Sequence, residues 1–398
     1  MSTYRKRFSC IIPLKVLSYL LFSFVLTGCA ALPLNKATAY LKDLYRRIPY
    51  TIEGKYRVLE IYFATSRKVT MGPDGDFNFR PELADGLTYG RMSVKIDPNL
   101  KIGKMTPAQL KRRGTIGIQK ITELDRDAFL KELTDKVKKS PHDSLLVLVH
   151  GFKDGFDFNS IKSAYFSYLL DVNTPVFMFD WPGDLGLSIS GYKKAESFAV
   201  QSGPYLGEVL ADVIRNIKPG KIWVQAHSLG CLVACSAFEE MYKKEDLVDA
   251  ENEIEHVVFA APDVGQDEFD DEFKNEIAAL SKKLTVYVSS DDDALVMSSF
   301  INDDKRVGLQ KERLKDPGQF EESKDILYLK SLDPDRIALI DVTPINDSSY
   351  GHGYYLESAD YYDDFYMRIL DQDPHANRGL YLLKTKDNMD YWVLRGGK

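Results

Sequence analysis

The stretch KIWVQAHSLGCLVACSAF, residues 221–238, sets a serine between a β-branched apolar run and a helix-forming one. Within it, Ala226-His227-Ser228-Leu229-Gly230 is a G-x-S-x-G pattern with alanine at the first small position. Small residues two before and two after Ser228 let the chain turn sharply from strand to helix, with the serine held at positive φ. A hydroxyl presented on such a turn becomes a nucleophile once a base takes its proton and an acid orients the base. Capping the helix is the other role open to a serine here, and it requires no small flanks. The helix that opens at Leu229 adds a second effect. Its first N–H groups and dipole favour negative charge beside Ser228, so the Leu229 N–H is a candidate oxyanion donor.

The base and the acid are sought downstream, in the chain order Ser, Asp, His. His352, in SSYGHGYYLES, sits in a glycine-flanked loop after the last strand-like run and before a helix, which makes it the leading base. His256 lies in the apolar run IEHVVFAA and reads as a packed residue. His142 precedes the strand-like run from Ser144, and His375 stands in a polar loop near the C-terminus. His150 reads as a turn residue, and His227 is expected to point away from the site. The loop after KLTVYVSS reads SSDDDAL and offers Asp291, Asp292 and Asp293, while Asp263 follows the preceding strand. Three adjacent acids also suggest calcium, but no EF-hand spacing accompanies them.

These residues need a scaffold that brings distant segments to one edge. SLLVLVHGF (Ser144 to Phe152) is a nearly continuous apolar run, as in a strand buried on both faces. RVLEIYFATSR, YGRMSVKI, PVFMFDWPG, KIWVQAHS, IEHVVFAAPDV, KLTVYVSS and DRIALIDVT share the strand character. Helical stretches such as ESFAVQSGPYLGEVLADVIRNI and QDEFDDEFKNEIAALSKK lie between them. The alternation predicts an α/β fold, a mostly parallel central sheet with helices on both faces. Residues 51–398 carry no repeat, low-complexity tract or Gly/Ser linker and read as one domain. Asn302 to Arg336 is charged and reads as a solvated excursion. Trp181, Tyr350, Tyr354 and Tyr355 could wall a pocket or simply pack.

The N-terminus carries a different signal. Arg5, Lys6, Arg7 and Lys15 precede the apolar run VLSYLLFSFVL, too short for a permanent bilayer span but suited to an export signal. Leu26-Thr27-Gly28-Cys29 resembles the lipobox of bacterial lipoproteins. The resemblance implies removal of residues 1–28, lipid attachment at Cys29, and a tether over 29–50. With Ala30 rather than Asp after the cysteine, it implies the outer membrane, facing the periplasm. Cleavage deepens the net charge from −7 to −11, because four of the 52 basic residues and none of the 59 acids precede Cys29. No basic patch is evident, which argues against nucleic acid and against electrostatic adhesion to anionic lipid. Cys231 and Cys235, four apart on one helix, read as buried thiols, and no Cys/His set suggests zinc.

IYFATSR, YGRMSVKI, VHGF, DWPG, AHSLG, AAPDV, YVSSDDDAL, GHGYY and the terminal YWVL occur in that order. As a set they resemble a bacterial α/β-hydrolase family of uncharacterised function, over roughly residues 55–395. The resemblance implies a Ser228–Asp292–His352 triad. Asp292 is favoured because SSDDDAL is similar to S-S-N-D-x-A-L in related hydrolases, with Asp263 and then Asp293 behind it. It also implies that VHGF is the oxyanion-side turn, with the Phe152 N–H as the second donor. The expected activity is a serine hydrolase, most simply a carboxylesterase on small or acyl esters in the cell envelope, with no cofactor and no metal. Thioester, amide and acyl-transfer chemistry use the same constellation. The competing expectation is a membrane-tethered binding or scaffolding protein on the same fold with decayed machinery. A dinucleotide-binding protein is excluded for want of a G-x-G-x-x-G after the first strand.

Overall fold

The computed structural model describes residues 47–103, 109–110, 114–248, 254–309, 336–371, 379–384 and 390–396, all within the unit Tyr45–Lys398. The leader, Cys29, most of the tether and His375 lie outside the described residues. The strands in the first half are β1 (Thr51–Glu53), β2 (Tyr56–Met71), β3 (Phe77–Ile96), β4 (Ile116–Leu124), β5 (Ser144–Val149) and β6 (Val176–Asp180). Then come β7 (Lys221–His227), β8 (His256–Ala260), β9 (Leu284–Val288), β10 (Ile337–Asp341), β11 (Leu380–Lys384) and β12 (Asp390–Leu394).

They form one sheet in the order β11-β12-β10-β9-β8-β7-β5-β6-β2-β3-β4, with β1 paired to β2. Every pairing from β12 to β2 is parallel, and the antiparallel pairs stand at the two edges. The protein is an α/β-hydrolase fold with a mostly parallel central sheet. The apolar runs follow from burial on both faces. In β5, Leu145, Val147 and Val149 join one core, while Leu146 and Leu148 join the other. In β6, Phe177 and Phe179 divide in the same way from Val176 and Met178.

The covering helices are α1 (Arg126–Val137), α2 (Phe156–Leu170), α3 (Ile189–Asp212), α4 (Leu229–Tyr242), α5 (Lys274–Leu280), α6 (Asp293–Asn302) and α7 (Ala359–Ile369). Residues of α1, α3, α4 and α5 fill the first core, and those of α2 and α7 fill the second. After β6 the chain passes β5 and adds β7 on its far side, so the strand order reverses at β5. In open α/β sheets the crevice at such a reversal, beyond the carboxyl ends of the strands, is where ligands bind. Ser228 follows β7 and His150 follows β5 at that crevice.

The charged segment that begins at Asn302 is not wholly solvated: of its described residues, Arg306 and Val307 are buried. Arg306 pairs with Glu196 and Asp263, and Gly308 is pressed against Ala261 and Pro262. Residues 310–335 lie outside the described residues.

Asp341, at the end of β10, is buried and accepts from the Thr343 N–H at 2.9 Å and Thr343 Oγ1 at 2.6 Å. Burial pushes its carboxyl up to about 6, against the pull of these hydrogen bonds and with help from the Asp291 charge. A raised carboxyl favours the folded state while it is protonated, and that stability is lost as pH rises from about 4 through about 6, on the order of 1–3 kcal/mol. Asp341→Asn keeps the acceptor oxygen and never ionises. Its Tm advantage over wild type is expected to be larger at pH 8 than at pH 4. An equal gap at both pH values would mean that Asp341 ionises as it would in water.

Candidate active site

Ser228 sits between β7 and α4 at φ 56°, ψ −131°, in a region that L-residues avoid. It occupies the N-cap position of α4, but its side chain caps nothing, so capping does not account for it. The strained turn is held by backbone bonds. The Ser228 N–H donates to Ala260 O at 3.1 Å, while Ser228 O accepts from the N–H groups of Cys231 and Asp263. The small neighbours are required by contact with the turn after β5. A Cβ on Gly230 would lie 2.3 Å from His150 O, and one on Gly151 would lie 2.8 Å from Ser228 Cβ. The VHGF turn and the serine turn therefore touch. Among the described residues, no backbone carbonyl outside the regular elements takes the Leu229 or Phe152 N–H.

Asp292 is the N-cap of α6, and its Oδ1 accepts from the Leu295 N–H at 3.0 Å. That bond turns the carboxylate toward the loop after β10, where His352 Nδ1 lies 2.8 Å from Oδ2 and 3.0 Å from Oδ1. A carboxylate partner fixes the proton on Nδ1 and leaves Nε2 as the basic nitrogen. Burial raises the Asp292 carboxyl, and His352 works against that rise. The loop itself permits the approach only through glycine. Gly351 has φ 64°, and a Cβ there would fall 1.6 Å from Asp291 O. Asn346 Nδ2 donates to Gly351 O and Ser289 Oγ, tying the loop back to the end of β9.

Ser228, the VHGF turn, Asp292 and His352 thus come to one edge of the sheet, and neighbouring side chains bind them together. Ser228 Oγ makes no hydrogen bond to His352 Nε2. Such contacts are often long until substrate binds.

A family model described as "Alpha/beta hydrolase of unknown function (DUF900)" matches residues 125–370. The chain belongs to this family. A search of curated proteins gives no match. Among solved structures, the Pyrococcus furiosus esterase Pf2001 is similar at 12% identity and TM-score 0.31, over 82% of this chain and 95% of that one. Brefeldin A esterase, a bacterial homologue of human hormone sensitive lipase, is similar at 11% and 0.26, over 85% and 73%. A hydrolase-like protein of Legionella pneumophila gives 12% and 0.22, over 83% and 86%. These scores are too low for anything to be carried across from the three structures.

In this α/β-hydrolase, Asp292 is the acid bonded to His352, while Asp263 and Asp293 are not hydrogen-bonded to it. Asp263 accepts from Tyr192 Oη at 2.8 Å and Ser298 Oγ at 2.6 Å, and pairs with Arg306 at 3.3 Å. Asp293 is exposed in the first turn of α6. His227 does not point away from the site: its ring lies 4.7 Å from that of His352. Its Nε2–H donates to His352 O at 3.0 Å, and its ring stacks on Tyr355 at 4.1 Å. Burial pushes the His227 pKa well below the usual histidine range, keeping the ring neutral as this donor. His256 is buried and bonded to Thr285 Oγ1 at 2.8 Å.

The aromatic candidates resolve as packing for the most part. Trp181, Tyr354 and Tyr355 are buried, while Tyr350 is exposed. Cys231 and Cys235 are buried and form no disulfide, and burial raises both thiols. A polar cavity of about 650 Å³ lies on the outer side of the His352 loop, with Asp291, Asp293, Asp347 and Tyr350 in its wall. Neither Ser228 nor His352 lines it, so it is not a pocket for the reacting group.

Sequence reasoning missed a buried ionic cluster next to the VHGF turn. Arg67, at the inner end of the IYFATSR run, is fully buried and bonds Asp180 through Nε at 2.7 Å, and also Asp184. Asp180 further accepts from Thr65 Oγ1 at 2.7 Å and Asn159 Nδ2 at 3.2 Å, and contacts His150 Nε2 at 3.0 Å. Although burial alone would raise it, the Arg67 guanidinium holds the Asp180 carboxyl down at about 2. A charged residue inside an apolar strand run, followed by an acid at the end of another strand, was the available signal.

Proposed function

We propose that this protein is a serine hydrolase, most simply a carboxylesterase acting on small or acyl esters. Ser228 is the nucleophile, His352 the general base and acid, and Asp292 the residue that orients and stabilises the imidazole. The observation that carries this reading is the two-oxygen approach of Asp292 to His352 Nδ1, beside a serine held at positive φ. With Nδ1 committed, Nε2 removes the Ser228 proton as the hydroxyl attacks the acyl carbon. It then delivers that proton to the leaving oxygen, and a water repeats the sequence to release the acid. The Leu229 and Phe152 N–H groups meet the oxygen on which charge develops, where one donor is typically worth ~3 kcal/mol.

An apolar acyl group is supported by the surface beside the site. Leu187 and Ile189 at the start of α3, and Met297 and Phe300 on α6, are exposed, and the Tyr192 Oη–Ser298 Oγ bond at 2.8 Å joins their two helices. The same proposal places the enzyme in the cell envelope, anchored through lipid at Cys29 and facing the periplasm.

The test uses protein lacking residues 1–28, with Cys29 unlipidated. A fluorophosphonate probe is expected to attach once per chain, on the peptide that contains Ser228. A panel of p-nitrophenyl esters of graded chain length then reports the acyl preference. Folded protein that takes no label and cleaves no ester would point to a tethered binding protein instead.

A further inference from the structure

We infer that Arg67 is a positioning residue for the oxyanion turn, acting through Asp180 and His150 on the direction of the Phe152 N–H. The inference rests on the serine-hydrolase reading and deepens it.

The path is continuous. Arg67 Nε donates to Asp180 Oδ2 at 2.7 Å, Asp180 Oδ1 lies 3.0 Å from His150 Nε2, and the N–H of the next residue, Trp181, donates to that nitrogen at 3.1 Å, which makes Nε2 an acceptor. His150 Nδ1 lies 2.8 Å from Gly151 O, and a carbonyl there requires that nitrogen to carry the proton and donate. Gly151 O and the Phe152 N–H belong to one planar trans peptide, so their bonds point in opposite directions. Fixing the carbonyl therefore fixes where the N–H is aimed. The next peptide is held too, because the Lys153 N–H donates to Gly183 O at 3.0 Å. Trp181 completes the clamp. Its Nε1–H donates to His150 O at 2.8 Å, and its ring stacks on the imidazole at 5.5 Å.

Arg67 is suited to this and not to simple packing. Burying a charge is costly, and an apolar side chain of similar volume would fill the space at least as well. Its guanidinium instead spans the loops after β5 and β6. Nε donates to Asp180, one terminal nitrogen donates to Asp184, and the other donates to Asp154 O at 3.3 Å. A fork of several fixed donors does this, and the single ammonium of lysine does not. Asn159 Nδ2 reinforces the same two points, donating to Asp154 O at 3.0 Å and Asp180 Oδ1 at 3.2 Å.

The test compares wild type, Arg67→Lys and Asp184→Asn, each normalised to the number of sites a fluorophosphonate can titrate. Arg67→Lys is expected to lower kcat per titrated site ~10²-fold, the size expected for one misaligned oxyanion donor, with KM changed less than about threefold. Binding of an aryl trifluoromethyl ketone, which presents an oxyanion, should weaken in parallel. The pH midpoint of kcat/KM should not move, because His352 is untouched. A purely structural role would lower the number of titratable sites and leave kcat per site unchanged, and that result overturns the inference.

Asp184 is partly exposed, so Asp184→Asn removes one arm of the clamp without stranding a fully buried charge. It decides the matter if Arg67→Lys does not fold, with an expected loss of about 3–10-fold per site, and an unchanged kcat overturns the inference. Wild type that takes no label overturns the hydrolase reading and this inference together. A labelled wild type beside unimpaired variants overturns the inference alone.

Discussion

Replacing Ser228 by alanine is expected to lower kcat on a good ester by about 10⁵- to 10⁶-fold, and adding His352→Ala to it is expected to cost nothing further. In the proposed mechanism the two side chains act as one unit: the hydroxyl is unreactive without the base, and the base has no task without the hydroxyl. What remains is the residual acceleration from the oxyanion donors and binding, about 10³–10⁴ over water. His352→Ala alone should lose nearly as much. It also carries a stability signature that Ser228→Ala lacks. Burial already raises Asp292, and His352 is the largest influence opposing that rise. Without the imidazole the carboxyl rises further and takes up a proton rather than remaining a bare buried charge. A raised carboxyl stabilises the fold at low pH and loses that contribution as pH increases. The Tm deficit of His352→Ala relative to wild type should therefore be larger at pH 8 than at pH 5. If His352→Ala retains kcat within tenfold, another group is the base. If the two losses multiply, the pair does not act as a unit.

The fold was legible because each central strand is apolar on both faces. SLLVLV and PVFMFD read as uninterrupted runs, and their alternate residues do enter two different cores. The serine turn was legible for a related reason. Its demand for small residues is local, and Gly230 meets backbone that no rearrangement of side chains could clear.

The acid was not legible from local chemistry, since Asp291, Asp292 and Asp293 are equivalent in sequence. What separates them in space is the start of a helix. Asp292 caps α6 and faces inward, and one residue later Asp293 is already on the solvent side. Only the likeness to a family motif favoured Asp292 beforehand. Arg67 and Arg306 were hidden by the opposite effect. Charged residues beside apolar runs and in polar stretches read as solvated faces, whereas both are buried here against carboxylates from distant segments. His227 was misjudged because a residue next to a turn points according to the turn, and the sharp bend at Ser228 swings its ring against His352. Pairings between segments more than a hundred residues apart leave no periodic trace in either segment.

The contact between the two turns gives the second large effect. Gly230→Ala is expected to lower stability by about 1–3 kcal/mol and kcat by about 10²- to 10³-fold. The new Cβ would sit 2.3 Å from His150 O and 2.8 Å from Val149 O, both backbone atoms at the end of β5. Relief requires the serine turn and the VHGF turn to separate by about an ångström, and misplacement of that size typically costs about 10² in rate. The turns carry Ser228 and Leu229 on one side and Phe152 on the other, so their separation would pull the proposed nucleophile away from one proposed oxyanion donor. Gly86→Ala is the matched control. A Cβ there meets nothing within 4 Å, so both Tm and kcat should stay near wild type. The sign of the stability change decides between explanations. Gly230 lies in the first turn of α4, where alanine would gain up to about 1 kcal/mol from helix propensity if there were room. A stabilised Gly230→Ala with full activity would mean that the turns are not in contact in solution, and the Phe152 N–H would then lose its place in the site.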